Sequence, residues 1–377
     1  MVSRKFPPGM GGMEAMSAKL VEEVGNVVPV TAIARNVART ALPLFLTTTA
    51  LRLLAGLLAR RIAVVHLHDA VLAPLGWLAR PFGVPVVVTL HGLDITYPTA
   101  PYRIYFRTFA RRFAAYTCVS RHVSALAKAS GIPADRLHVV PNGVAGGNAA
   151  TSFRGSPSAS TDAEALRPNP TRVASDRSDQ VAWPWPENAP LLLTVGRLVP
   201  RKGVRWFVDE TFPAIHRRFP ALHYAIAGAG PDASTIRAAI GSSGLQDYVH
   251  LLGEVSEAQK LALMRRATVV VMPNLPIPGD AEGFGIAALE AAYAGRALVA
   301  ADIEGLRDAV IQCRTGVRVA AGDRSAWFRA IECLLTRPSL AGAIGRRARR
   351  TAVTSFDWRH VATRYCEVYR GVLARTE

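Results

Sequence analysis

Short runs of β-branched and aliphatic residues alternate with helical patterns along most of the chain, and this alternation limits the possible folds more than any other feature. Residues 62–66, 84–90, 116–119 and 137–140 carry such runs in the first half, and 191–195, 222–227, 249–252, 268–272, 297–300 and 317–319 in the second. A strand that is followed by a helix and then another strand returns in the same direction, so the pattern predicts parallel sheets and an α/β fold. Residues 146–188 change character to Gly, Ser, Ala, Asn, Pro and Asp, with almost no large aliphatic residue before Val181. That stretch reads as a flexible, disordered linker or insertion between a Rossmann-like domain at 1–145 and a second at 189–355. The chain's 377 residues exceed what one core usually organises, and half of them are hydrophobic, enough to fill two cores. In the last segment, 356–377, Trp358, Val361, Tyr365, Val368, Tyr369 and Val372 draw an apolar stripe along a helix. A stripe of this kind needs cover, and the first domain is the candidate. Only residues 1–4 precede the Phe6-Pro7-Pro8 turn, which predicts either a very short first strand or, as the preferred reading, a chain whose natural start lies upstream.

The balance of 45 Lys and Arg against 28 Asp and Glu gives +17, which favours contact with phosphates of nucleotides, nucleic acid or anionic lipid. Cys118, Cys313, Cys333 and Cys366 lack metal-ligand or redox spacing, which fits a reducing cytoplasm. The first twelve residues have no basic-then-apolar leader, and the apolar run 41–58 is broken by Arg52, so neither a signal peptide nor a membrane span is expected.

Residues 278–290, Pro-Gly-Asp-Ala-Glu-Gly-Phe-Gly-Ile-Ala-Ala-Leu-Glu, read as a glycine-rich loop opening a helix. Gly283 and Gly285 permit close backbone approach, and the free N–H groups of the helix's first turn suit a diphosphate. Glu282 on the loop and Glu290 in the helix are placed to face one pocket, where carboxylates accept hydrogen bonds from sugar or ribose hydroxyls. Alone, the pair would read as two solvent-facing helix glutamates. A second loop joins it: the strand at 191–195 runs into Gly196, Arg197, Arg201 and Lys202, whose cations neutralise a pyrophosphate and stabilise it as a leaving group.

With these loops in place the sequence resembles glycosyltransferase family 4, retaining enzymes of the GT-B fold. The similarity is carried in order by Pro7-Pro8 with Gly11-Gly12-Met13-Glu14, His66-Leu67-His68, the run Thr89 to Asp94, Ser120, and Pro141-Asn142-Gly143-Val144. It continues through Gly196-Arg197 with Lys202, Ala227-Gly228-Ala229-Gly230-Pro231, Gly253-Glu254-Val255, and Glu282 with Glu290. The resemblance implies that Gly11, Gly12, Gly196 and Gly230 approach the donor and that Arg197 and Lys202 bind its diphosphate. Glu290 would hold the ribose, and the 253–255 loop, with Val255, would frame the base. Glu282 would contact the transferred sugar, with backbone groups of Gly283, Phe284, Gly285 and Ile286 nearby. His91 would lie over that sugar from the opposite domain.

The resemblance further implies retention without a carboxylate nucleophile: the departing phosphate oxygen accepts the acceptor's proton. No metal-binding aspartate cluster is evident, so no metal and no cofactor are expected. His66 reads as a hydrogen-bonded core histidine more readily than a ligand, whereas His91, at a strand's C-terminal end beside Gly92, reads as functional. Asp94 suits an acceptor contact or a helix cap equally. Gly228 to Gly230 lacks the third glycine and acidic partner of a dinucleotide site.

Residues 1–145 carry 16 basic and 6 acidic side chains, so most of the excess charge lies there. Arg103, Arg107 and Arg111 recur every fourth residue beside Tyr105, Phe106, Phe109 and Phe113, and Arg39, Arg52, Arg60 and Arg61 surround the 42–58 run. Such elements suit an anionic bilayer, although a solvated arginine face has the same pattern. The expectation is a peripheral enzyme at the inner face of the plasma membrane, moving a hexose from GDP-mannose, UDP-glucose or UDP-N-acetylglucosamine to a lipid-linked or glycan acceptor. A sugar-nucleotide epimerase on the same fold is the alternative. Less favoured is a basic nucleic-acid-binding protein, for which no binding module is recognisable.

Overall fold

The computed structural model describes residues 1–7, 12–97, 99–144 and 183–375. Gly11 and residues 146–182 of the expected linker, together with the Arg39 side chain, lie outside them.

Two six-stranded sheets are present, and every strand pairing in them is parallel. The first contains β1 (Val2–Ser3), β2 (Ile33–Ala34), β3 (Val65–Leu67), β4 (Val86–Leu90), β5 (Ala115–Cys118) and β6 (Leu137–Val139), in the order β2-β1-β3-β4-β5-β6. The second contains β7 (Leu191–Val195), β8 (His223–Ala227), β9 (Val249–Gly253), β10 (Val269–Met272), β11 (Ala297–Ala301) and β12 (Val317–Val319), in the order β12-β11-β10-β7-β8-β9. Strands β4, β8, β10 and β11 are buried throughout, which is why they read as continuous apolar runs rather than alternating ones. In the second sheet the chain reverses its direction of travel between β7 and β10, and open α/β sheets bind ligands at that kind of switch point.

The short opening strand is two residues long, and β2, with equally little sequence to announce it, is its edge neighbour. The 62–66 run starts its strand three residues later than expected. Arg60 ends the preceding helix in a left-handed conformation (φ 53°), with its N–H bonded to the Leu57 carbonyl, and the chain needs the following residues to turn. Residues 183–188, at the end of the expected linker, are packed: Trp183 stacks on Trp185 at 5.4 Å, and Trp185 lies 5.1 Å from His250 of β9.

The helix Trp358–Leu373 crosses back onto the first sheet. Its Trp358, Val361, Tyr365, Cys366, Tyr369 and Val372 form one cluster with Met16, Leu20, Val24, Val87, Ala115 and Val140. Gly143 makes the crossing possible, since a Cβ there would lie 2.5 Å from the Trp358 ring, and the Val144 N–H donates to the Phe356 carbonyl at 2.8 Å. All four cysteines are free thiols; Cys118 and Cys366 are buried, while Cys313 sits exposed in a turn at φ 59°. Among the described residues no helix is long and apolar enough to cross a membrane.

Candidate functional site

The two loops that leave β7 and β10 meet at the switch point. The β7 loop ends in a 3₁₀ turn, Pro200–Lys202, closed by Gly203 in the left-handed conformation (φ 63°). A Cβ on Gly203 would stand 1.9 Å from the Pro273 carbonyl, so only glycine lets this loop press against the one after β10. The Leu275 N–H donates to the Arg201 carbonyl at 2.9 Å and ties the loops further.

Charge is concentrated where they touch. The Lys202 Nζ lies 2.5 Å from Glu282 Oε2, the Asn274 Nδ2 donates to the same oxygen at 2.9 Å, and the Arg201 Nε is 3.7 Å away. Arg201 itself is paired with Asp280 at 2.5 Å. Burial alone would raise the Glu282 carboxyl, but Lys202 and Arg201 overcome it and hold its pKa below the ordinary carboxylate value. Three partners converge on Oε2, and Oε1 has none among the described residues.

Arg197, by contrast, is exposed and unpaired among the described residues. An unpaired guanidinium in the same loop as Lys202 is suited to meet an incoming anion. Gly196 (φ 149°) precedes it. Gly228 and Gly230 have a packing duty: a Cβ on either would strike the carbonyl of Gly196 or Leu198, at 1.9 and 2.1 Å. The glycines of the β8 turn thus make room for the β7 loop.

Glu290 lies in the helix Ile286–Tyr293, which opens on Gly285 at φ 94°. Its carboxylate pairs with Lys260 at 2.7 Å, and Lys260 also holds Glu257. Burial disfavours the lysine charge, yet the two glutamates outweigh it and raise the pKa. Glu282 and Glu290 therefore occupy separate ion pairs rather than one shared cluster. Lys260 belongs to the helix Glu257–Arg266 that follows the 253–255 loop, so the partly buried Val255 and the Glu290 carboxylate flank the same turn. Phe284 is buried and Ile286 partly so, and a Cβ on Gly12 would meet the Ile286 Cδ1 at 2.9 Å, bringing the first domain's glycine turn to this helix.

From the opposite domain comes the turn after β4. A Cβ on Gly283 would lie 2.0 Å from the His91 carbonyl, and Gly92 (φ 106°) sits against the Gly283 backbone. The His91 Nε2 lies 2.8 Å from the His68 carbonyl. A carbonyl only accepts, so Nε2 carries the proton and Nδ1 is left as an acceptor in the neutral ring. Asp94 caps this turn: its Oδ1 accepts the N–H groups of His91 at 2.9 Å and Gly92 at 2.8 Å. Burial raises its carboxyl, with His91 opposing.

His66 is a core residue, its ring nitrogens bonded to the hydroxyls of Thr89 and Tyr369 at 2.8 Å each, and burial drives its pKa well below the usual value. His68 is buried with neither ring nitrogen partnered, and its pKa falls to about 3 for the same reason. Asn142 is buried in the turn beside Gly143.

Sequence reasoning overlooked Asn274, Asp280 and Lys260, and treated Arg201 only as one charge in a loop. Nothing local distinguishes Arg201 from Arg197; the first is buried on Asp280 and the second is not.

Two doubly wound domains with a basic loop and a carboxylate-bearing glycine loop at a switch point define a protein of the GT-B type. Residues 15–145 match the family described as Glycosyltransferase Family 4, and residues 189–337 match Glycosyl transferases group 1. The two matched segments together take in most of the chain, which belongs to this group of glycosyltransferases. It is 34% identical over 196 residues to the glycogen synthase of Mycobacterium tuberculosis, a match covering 51% of this chain and 46% of that one, so the chain spans under half the length of that relative. It is 28% identical over 399 residues to the GDP-mannose-dependent alpha-(1-6)-phosphatidylinositol monomannoside mannosyltransferase of Mycolicibacterium smegmatis, covering 98% of both. Anabaena HepE, solved in complex with UDP, shares the fold with a TM-score of 0.70 at 15% identity over 98% of each chain.

Proposed function

We propose that this protein moves a hexose, with retention and without a metal, from a nucleotide-sugar of the GDP-mannose, UDP-glucose or UDP-N-acetylglucosamine type to a lipid-linked or glycan acceptor. The observation that carries the reading is the Lys202–Glu282 pair at the switch point, with unpaired Arg197 beside it. A bound diphosphate draws Lys202 and Arg197 to itself, where they stabilise the charge that develops on the leaving oxygen. Glu282, whose Oε1 has no partner among the described residues, then accepts hydrogen bonds from hydroxyls of the sugar. Glu290, four residues into the helix that Gly285 opens, accepts the ribose hydroxyls. His91 approaches from the other domain with Nδ1 as an acceptor. No nucleophilic carboxylate enters the scheme, and the departing phosphate oxygen takes the acceptor's proton.

The phosphatidylinositol-linked acceptor named for the mycolicibacterial relative, and the UDP seen in HepE, support a nucleotide-sugar donor and a lipid-linked acceptor. The surface of the first domain agrees with work at an anionic membrane in glycolipid or polysaccharide assembly. The helix Leu42–Leu58 buries Phe45, Thr49, Leu53 and Leu57, while Leu44, Leu51 and Leu58 point outward at 69%, 70% and 67% exposure. Ile104 is 66% exposed on the helix Ala100–Phe109, between exposed Arg103 and Arg107. Arg111 departs from the expected face: the helix ends at Phe109, and Arg111 turns its Nη2 to the Gly131 carbonyl at 3.3 Å. Thermal-shift measurements with nucleotides and their sugars, with and without EDTA, test the donor site. A rise in Tm with UDP or GDP that EDTA leaves unchanged is expected; no response to any nucleotide-sugar, or turnover that only magnesium restores, removes the proposal.

A further inference from the structure

Glu304 stands in the turn after β11 with φ 43°, a left-handed conformation that a glycine adopts freely and a glutamate rarely does. Its carboxylate reaches back to the donor loop: Oε2 accepts the backbone N–H of Glu282 at 2.5 Å. The neighbouring Gly305 donates its N–H to the Glu282 carbonyl at 3.0 Å. Both backbone groups of Glu282 are therefore held by two consecutive residues. A Cβ on Gly305 would lie 2.0 Å from the Gly283 carbonyl, and Gly283 is pressed on its other side by His91. Glu282 stands directly before Gly283, with Gly285 two further on, so without this hold the loop is free to rotate the Glu282 side chain away.

We propose that Glu304 is a positioning residue for sugar transfer: its carboxylate clamps the Glu282 backbone so that Oε2 stays on Lys202 and Oε1 stays without a protein partner. A residue kept in an unfavourable backbone conformation, with its side chain spent on one N–H of the donor loop, is placed for that geometry rather than for stability. Burial raises the Glu304 carboxyl, opposed first by the Glu282 N–H and then by His122. The clamp is part of one turn with a second bridge, since Asp308, four residues on, accepts the Arg121 backbone N–H at 3.0 Å and pairs with its Nε at 3.0 Å. The segment that holds the donor loop thus also holds the first domain.

The proposal rests on the transferase reading for its kinetic arm, and hydrogen exchange at the Glu282 amide tests it without any substrate. Four proteins are compared: wild type, Glu304→Ala, Glu304→Gly and Glu304→Gln. In the alanine and glycine variants the Glu282 amide exchanges about tenfold faster or more, and Gln, which keeps an oxygen in place, restores protection. In transfer assays kcat falls about tenfold in Ala and Gly, with donor KM within about twofold, and Gln recovers most of it. The glycine variant melts above the alanine variant because its backbone strain is relieved, yet it is no faster. Unchanged exchange in Glu304→Ala overturns the clamp. Faster exchange with undiminished kcat, or a glutamine variant as slow as alanine, overturns its part in transfer. A wild type that transfers from no donor defeats the functional reading instead, and the exchange result still decides the clamp.

Discussion

Glu282 and Glu290 have the same chemistry and stand eight positions apart in sequence, but their surroundings divide the work. Glu282 is buried against Lys202 and Asn274, whereas Glu290 is a quarter exposed on Lys260. Glu282→Ala is expected to lower kcat about a hundredfold while nucleotide affinity stays within a few-fold, because the interaction with the sugar strengthens as charge develops. Glu290→Ala is expected to weaken UDP or GDP binding by about tenfold, the worth of a hydrogen bond to a charged group. Isothermal titration of the nucleotide beside steady-state kinetics separates the two, and unchanged nucleotide affinity in the second variant sinks the division. The histidines behave differently. His66 and His68 are buried neutral with pKa values depressed, His68 to about 3. The unfolded chain therefore binds protons that the folded chain refuses, and stability is full above the ordinary histidine value near 6.5. Below it, each histidine removes up to about 1.4 kcal/mol per pH unit until its folded pKa is reached. Urea unfolding at pH 7 and pH 5 checks this, and equal stability at the two values contradicts it.

Among the elements, the helix Trp358–Leu373 shows how far periodicity reads. Its stripe was legible because six apolar residues recur at helical spacing, and the first domain does cover it through Met16, Leu20, Val24 and Val87. Trp358 is 6% exposed and seated over Gly143, so Trp358→Ala should cost about 3–5 kcal/mol in chemical denaturation, as emptying a large buried aromatic site does. Loops were less legible. The resemblance named Gly230 as a donor-binding residue, and the structure adds a packing duty that the sequence did not announce, since Gly230 makes room for Leu198. Lys260 went unnoticed because a lysine in an exposed amphipathic helix has no local mark of its use. Its pairing with Glu290 joins the helices after β9 and β10, distant in sequence. Asp94 was balanced between acceptor contact and cap; its bonds to the His91 and Gly92 N–H groups make it a cap in this structure.

At the scale of the molecule, the basic and apolar surface of the first domain should act as one face. Leu44, Leu51 and Leu58 lie seven residues apart, hence on one side of their helix, with Arg52 between them. Replacing the three leucines by serine is expected to abolish co-sedimentation with anionic vesicles and to leave Tm nearly unchanged, because these side chains touch solvent rather than core. Wild-type binding should weaken as salt rises and be slight on neutral vesicles. Equal binding to both vesicle types, or to neither, contradicts the membrane reading. The same whole-molecule view explains how the domains meet: His91 against Gly283, Thr96 near the Gly279 carbonyl at 3.4 Å, and Arg121 on Asp308 join them around the glycine-rich loop after β10.

By itself the sequence determined what local physics writes into it: the alternation of strands and helices, the two sheets, the covering helix, and the residue types able to meet a diphosphate. Strand and helix periods are properties of a few consecutive residues, and glycine marks positions where backbone must approach something. Only the tertiary structure decided which cation faces which carboxylate. It placed Arg201 in a buried pair and left Arg197 open, sent Glu282 and Glu290 to different lysines, and brought Glu304 under Glu282 from a turn that carries no motif. Those partners are set by loops meeting across separate strands, where burial and distance, rather than the residue types, select among equivalent charges.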